Sequence, residues 1–383
     1  MPHFTRSAAM AILATAAVWL PVYSASADDQ KGFLETIHKH VTLTTTIPAD
    51  GDLNPYALIV APVSSGLIQK DDILIDNFND ISNLQGTGTT IVDYNPATQK
   101  TSLIAKLPKH LPECPGGVGL TTAMTMLKTG WIIVGSTPST DGTTSTKGDG
   151  CLIVLDSNGK LINAVSGSNI NAPWGNMVTI DNGSSVTLFV SNAGFDVPSY
   201  KVRDPASGFP VIVKKATVLR IELSIAEGQP PIFKNQTVIA DGLSSQANRD
   251  AFLVGPTGLA LGQDGTTLYV SDSALNRIIA IPDAVTRKTS VGNGREVTKG
   301  GLLHRPLAMT MAPNGHLLVT NALNGQVVEI DPIAGKQVYA QWIDSDQAQS
   351  PPGNGDLFGI TMAPDGKGFY YVEDDMNTIV HAQ

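Results

Sequence analysis

Charged side chains make up only 15% of the 383 residues and aromatics 6%, and the chain holds just two cysteines. Low charge together with 42% hydrophobic residues excludes a disordered chain, which cannot bury enough apolar surface to order itself. Two cysteines exclude a disulfide-built miniature scaffold and a thiolate metal cluster. Lys/Arg clusters are missing and the formal net charge is −9, which argues against nucleic acid and anionic membrane surfaces as partners. After residue 20 no apolar run reaches the ~20 residues that a membrane span requires. Catalytic signatures are also missing: there is no G-x-S-x-G elbow, no H-E-x-x-H helix and no phosphate-binding G-x-x-x-x-G-K-[ST] loop. Gly86-x-Gly88 and Gly292-x-Gly294 lack the third glycine of a dinucleotide site.

What is present begins with a leader. Arg6, an apolar run from Ala8 to Leu20 and the small residues Ala25-Ser26-Ala27 form the three parts of a secretory signal peptide. The expectation is cleavage after residue 27, an exported product of residues 28–383 in the periplasm or the medium, and a monomer. In that compartment Cys114 and Cys151 are expected to form a disulfide.

Glycine and proline reach about 16% of the chain, above the ~12% average, which predicts many turns and short elements. Those turns recur. Pro256-Thr-Gly-Leu-Ala-Leu-Gly-Gln-Asp264-Gly265, Pro306-Leu-Ala-Met-Thr-Met-Ala-Pro-Asn314-Gly315 and Leu357-Phe-Gly-Ile-Thr-Met-Ala-Pro-Asp365-Gly366 are near copies. Each is a short strand closed by Asp-Gly or Asn-Gly, a strong hairpin signal, and each continues into two further apolar strands. Weaker copies begin at 55, 121 and 173. A unit of about fifty residues with three or four antiparallel strands is a propeller blade. The predicted fold is all-β, a single six-bladed β-propeller. The half blade after Leu357 is completed by a strand at 41–47, which closes the ring and removes exposed edges.

The stretch from Gly255 to Ile281 resembles an NHL repeat, and the two repeats after it resemble it closely. NHL-type propellers share their architecture with the SMP-30/gluconolactonase-like superfamily. The resemblance implies fold more than function, because one fold carries many activities. It also implies that one face carries the loops entering each innermost strand and those joining second and third strands. On that face three loops are long, 76–88, 135–150 and 191–215, and should wall one side of the channel mouth. The predicted disulfide pins the second of them.

Residues following each anchor, among them Tyr56, Thr122, Trp174 and Phe358, are expected to ring the channel mouth. Asp76, Asn77, Asn192, Asp272 and Asp374 follow at the ends of second strands. An aromatic concavity with convergent polar groups suits a small molecule, peptide or partner protein; the competing reading is that such Asp and Asn side chains bond local backbone. Gluconolactonase-like propellers hold a divalent metal on the axis with acids and amides, which suit calcium. Here only Asn54 and Asn176 stand near those positions, so no cofactor is predicted, with calcium or zinc as the alternative. The histidines His38, His40, His110, His304, His316 and His381 are too scattered in sequence to predict a zinc site. His304-Arg305 lies in a loop entering an innermost strand and suits an anionic group. Met124, Met126, Met309 and Met311 are read as packing between blades. The leading expectation is an exported binding propeller; the alternative is a hydrolase or lyase of the SMP-30/gluconolactonase-like type.

Overall fold

The computed structural model describes residues 1, 3 and 32–383 apart from 250, 345, 347, 352 and 356, and the backbone alone at 357–358. The proposed leader lies outside the described residues. From 32 onward the chain forms six antiparallel sheets around an axis, a six-bladed β-propeller. Blade 1 comprises Leu53–Val60, Ile73–Asn79, Thr90–Asn95 and Lys100–Lys106, numbered from the axis outward. Blade 2 starts at Leu120–Met126 and Ile132–Ser136; blade 4 at Pro256–Leu261 and Leu268–Asp272; blade 5 at Pro306–Met311 and Leu317–Asn321. Blade 3 departs from the pattern. Its third and fourth strands, Ile212–Ser224 and Ile232–Ala247, run 13 and 16 residues, and Leu253–Val254 adds a fifth.

Blade 6 combines Leu357–Met362, Phe369–Glu373 and Thr378–Ala382 with His40–Thr45 as its outer strand, in register His40 to Ala382 through Thr45 to Thr378. The strand expected at 41–47 therefore closes the ring. Just before it, Glu329 of blade 5 is fully buried and accepts the backbone N–H groups of Phe33 (2.8 Å) and Leu34 (2.9 Å). Asn314 and His316 donate to the same carboxylate, at 2.8 and 2.7 Å.

The strands form where the sequence repeats predict them. Asp264 Oδ1 accepts the N–H groups of Thr266 and Thr267 (2.9 and 2.8 Å), and Gly265, Gly315 and Gly366 take the positive φ that such turns require. Second strands are buried on both faces because each blade is sandwiched between two others; all five residues of Ile132–Ser136 are buried. Met124 and Met126 pack in the apolar layer with Ile91 and Leu74 of blade 1, and Met309 packs with Tyr269 of blade 4.

Two boundaries shift. Blade 2 enters its sheet at Leu120, opposite Ser136, and bulges by two residues before Met124 pairs with Val134; blade 4 bulges by one. Thr121, not Thr122, is therefore the counterpart of Tyr56 and Trp174. The first long loop also begins later than expected, because Asp76 and Asn77 belong to the strand Ile73–Asn79.

Candidate functional site

Pairing registers place Asn77, Ser136, Asn192, Asp272, Asn321 and Glu373 at one equivalent position, opposite Pro55, Leu120, Pro173, Pro256, Pro306 and Leu357. In four blades that side chain clamps the loop entering its own innermost strand, and in blade 4 it holds the long strand Ile232–Ala247 of blade 3. Asn77 Nδ2 donates to Thr46 O (3.0 Å), and Ser136 Oγ accepts from Gly119 N–H (3.0 Å). Asn192 Oδ1 accepts from Asn171 N–H (3.1 Å), and Asn321 Oδ1 from His304 N–H (3.0 Å). Asp272 accepts Ser244 N–H at 2.9 Å and is paired with Arg277 at 2.6 Å.

The residue before the clamp is a second repeated device. Ser191 Oγ and Ser271 Oγ accept the bulge N–H groups of Gly175 (3.0 Å) and Gly258 (2.6 Å), and Asp76 Oδ1 does the same for Ala57 (2.9 Å). Asp76 is fully buried, and burial holds its carboxyl well above the usual carboxylate range. Asp76, Asn77, Asn192 and Asp272 thus serve the blade backbone, which is the local-bonding reading of these side chains.

The expected aromatic rim is a plug. Tyr56 is fully buried and Trp174 is 1% exposed. Tyr56 stacks on Phe78 at 4.3 Å, while Trp174 meets Phe78 edge-on at 5.4 Å and lies 5.9 Å from Phe252. Four rings from two blades and an entering loop fill the mouth, and Tyr56 OH donates to Gln85 Oε1 (2.9 Å) of the first long loop. Beside them, neighbouring blades approach closely. A Cβ on Gly175 would lie 2.0 Å from Thr257 O of the next blade. Asp374 lies near enough for its charge to raise the Tyr56 phenol further, after burial itself. The side chain of Phe358 lies outside the described residues.

Of the two amides expected near an axial metal, one is committed to backbone. Asn176 spends both amide atoms on the blade 4 backbone, Nδ2 to Leu259 O (2.8 Å) and Oδ1 from Leu259 N–H (3.0 Å). Asn54 is buried (6% exposed) beside the plug, in strand Leu53–Val60. Among the described residues no three His, Cys, Asp or Glu side chains converge as metal ligands. The histidines are dispersed: His316 is on Glu329, His381 lies against Tyr370 (4.6 Å) and His304 is exposed.

The three long loops do meet. Ser139 N–H donates to Gly86 O (2.9 Å), joining the first to the second, and Thr144 Oγ1 donates to Pro198 O (3.3 Å), joining the second to the third. Cys114 and Cys151 are bridged, with Cα atoms 5.1 Å apart, at the base of the second.

On the axis the innermost strands of five blades line a cavity of about 200 Å³, Asn176 among its walls; a larger space lies off the axis. A groove of about 760 Å³ opens between the third long loop and the entering loops of blades 4 and 5. Within that loop, residues 202–211 form a tight hairpin, with Val211 N–H on Val202 O (3.1 Å) and Asp204 N–H on Phe209 O (2.8 Å). Phe209, 68% exposed, forms part of its wall. Arg305 forms another part and also borders a smaller cavity of about 310 Å³ lined by Leu253, Leu307 and Leu323. Of the expected site residues, Arg305 alone lines this groove; Arg203, Phe209 and Gln246, which also line it, carried no repeat or motif signal. Phe78 and Phe252 escaped for another reason: they read as strand and loop apolar residues until the fold brings them to Trp174.

No family model matches the chain, and no curated protein sequence matches it. Solved structures do. A gluconolactonase from Xanthomonas campestris superposes with a TM-score of 0.54 at 12% identity, covering 90% of this chain and 88% of that one. Regucalcin, a calcium-binding protein from Agrobacterium tumefaciens, gives 0.52 at 12% identity over 90% and 93%. A putative oxidoreductase (glucose dehydrogenase) from Thermus thermophilus gives 0.53 at 12% identity over 90% and 99%. At such identity the likeness concerns fold alone. By its six closed blades and these neighbours, the chain has a six-bladed propeller fold similar to that of these gluconolactonase and regucalcin structures.

Proposed function

We propose that this is an exported propeller, NHL-type in its repeats, that binds a small molecule in the off-axis groove on its long-loop face. One observation carries the reading: the axial mouth is filled by Tyr56, Phe78, Trp174 and Phe252, while the 760 Å³ groove beside it is open. That volume lies within the ~300–1,000 Å³ of ordinary ligand sites. Export is supported by the leader pattern at 1–27 and by the Cys114–Cys151 bridge, since disulfides persist in oxidising compartments. The test is a thermal-shift screen of pooled metabolites on the wild type and on Ser207→Trp, which puts a ring into the groove from its exposed wall. Compounds that raise Tm in the wild type and not in the variant are expected. Hits that persist in the variant, or no hits at all, refute the groove.

A second reading is a hydrolase or lyase of the SMP-30/gluconolactonase-like type. Beyond fold, it is supported by Glu373, at the blade 6 clamp position. Burial, helped by Asp344 and Asp375, pushes its carboxyl up to about 7, where a general acid or base works best. Under this reading lactones and simple esters are turned over with an inflection near pH 7, and Glu373→Gln abolishes turnover. A pH-stat assay showing no turnover across lactones and esters removes it.

A further inference from the structure

The charge of the groove runs against that of the chain. Net charge is −9 and there are only eight arginines, yet three of them, Arg203, Arg249 and Arg305, line this one groove. Among the described lining residues the one acid, Asp204, is turned onto its own hairpin, where Oδ1 accepts the N–H groups of Ser207 (2.8 Å) and Ala206 (3.0 Å).

Arg305 differs from the other inward-facing arginines. Arg277 is paired with Asp272 (2.6 Å), and Arg220 with Glu222 (3.0 Å) and the carbonyls of Val285 and Arg287. The Arg305 guanidinium meets Gln246 Oε1 at 3.4 Å and, among the described residues, no carboxylate within ion-pair distance. It is half-buried, and loss of water lowers its pKa, which leaves a desolvated cation with most of its five N–H donors uncommitted. Gln246 in turn donates to Pro210 O (2.5 Å), so the cation is tied to the hairpin that forms the opposite wall.

The backbone adds a second argument. Arg305 has φ +58°, a left-handed conformation that disfavours long side chains. At the same position before the anchor the other described blades carry Asn54, Gly119, Ala172 and Gly255, all short. Only blade 5 sets a long cation there, and it stands between the groove and the apolar cavity of Leu253, Leu307 and Leu323. The backbone there is held on both sides, Arg305 N–H on Asn276 Oδ1 (2.5 Å) and Ala322 N–H on Arg305 O (3.0 Å), which fixes where the cation leaves the chain.

We propose that the groove takes a small organic acid, its anionic head forked by Arg305 and its apolar body covering Leu253, Leu307 and Leu323. This rests on the groove-binding reading above. Planar guanidinium groups recognise carboxylates and sulfonates through paired hydrogen bonds, and poor solvation strengthens them.

The test uses two fluorescent probes of one shape, anilinonaphthalene sulfonate and its uncharged parent phenylnaphthylamine, titrated into the full chain. The wild type is expected to prefer the sulfonate. Arg305→Gln should weaken it by about tenfold or more while leaving the neutral probe unchanged. Arg203→Gln, at an exposed position with ordinary backbone, should weaken it in the same direction and covers the case in which Arg305→Gln fails to fold. Phe209→Ser should weaken both probes. If both bind and neither arginine variant separates them, the anion assignment falls and the groove stands. If Phe209→Ser alters neither probe, the groove itself falls, and the assignment with it.

Discussion

Asp93→Asn should make the protein more stable in alkali and leave it unchanged in acid. Asp93, in the third strand of blade 1, is 4% exposed, and its carboxyl meets that of Asp72, which is 1% exposed. Asp72 is the better-served partner: Asn95 Nδ2 donates to it at 2.7 Å and Gln69 N–H at 2.6 Å. Burial first, and the charge of Asp72 second, push Asp93 up to about 7 from its ordinary 3.8. The folded state therefore holds a proton that the unfolded chain has already released. That contribution is whole below pH ~4 and is lost as pH rises through ~7. Three pKa units correspond to about 4 kcal/mol between pH 4 and pH 8. Asparagine keeps a donor for Asp72 and does not titrate. Urea midpoints at pH 5, 6, 7 and 8 should converge for wild type and variant at the acid end and separate in favour of the variant at pH 8. A variant less stable at pH 8, or a difference independent of pH, would refute the reasoning.

Glu329 has the opposite sign. Burial alone would raise its carboxyl, but four donors outweigh burial and hold it below its ordinary value, so its contribution is present at neutral pH and lost in acid. Glu329→Ala should cost about 3 kcal/mol or more at pH 7, less at pH 4, and expose residues 32–37 to limited proteolysis. Trp174→Ala removes the centre of the aromatic plug and should cost about 3–5 kcal/mol in urea unfolding, with no change in groove ligands. The Cys114–Cys151 bridge closes a separation of 37 residues, and replacing both cysteines by serine should cost about 4 kcal/mol, matched in the wild type by a reductant.

The architecture was legible because it is local and repeated. Pro256 to Gly265 and its two copies announce a hairpin at each occurrence, and half blades at 41–47 and after Leu357 imply closure. The site was legible only in part. Asp272 and Asn192 have the residue types of ligands, and nothing near them in sequence reveals that their partners are Ser244 and Asn171, 28 and 21 residues away. Trp174 carries no sign of whether its ring faces solvent or inward, since Phe78 and Phe252 arrive from elsewhere in the chain. Arg305 was singled out from its place before an innermost strand. The hairpin facing it was hidden because Arg203 and Phe209 sit in an insertion with no counterpart in other blades.

The ring closes through its least local contact. His40 and Ala382 pair across about 340 residues, and closing so long an open chain would cost about 5 kcal/mol in entropy. The cost falls once five blades already hold the two ends near each other. The strand His40–Thr45 has its partner only once the distant strand Thr378–Ala382 has formed. Until the two pair, the strand Thr378–Ala382 presents an unpaired edge. A chain interrupted before Leu357 would leave its own opening strand without a partner, free to pair with that edge in another molecule.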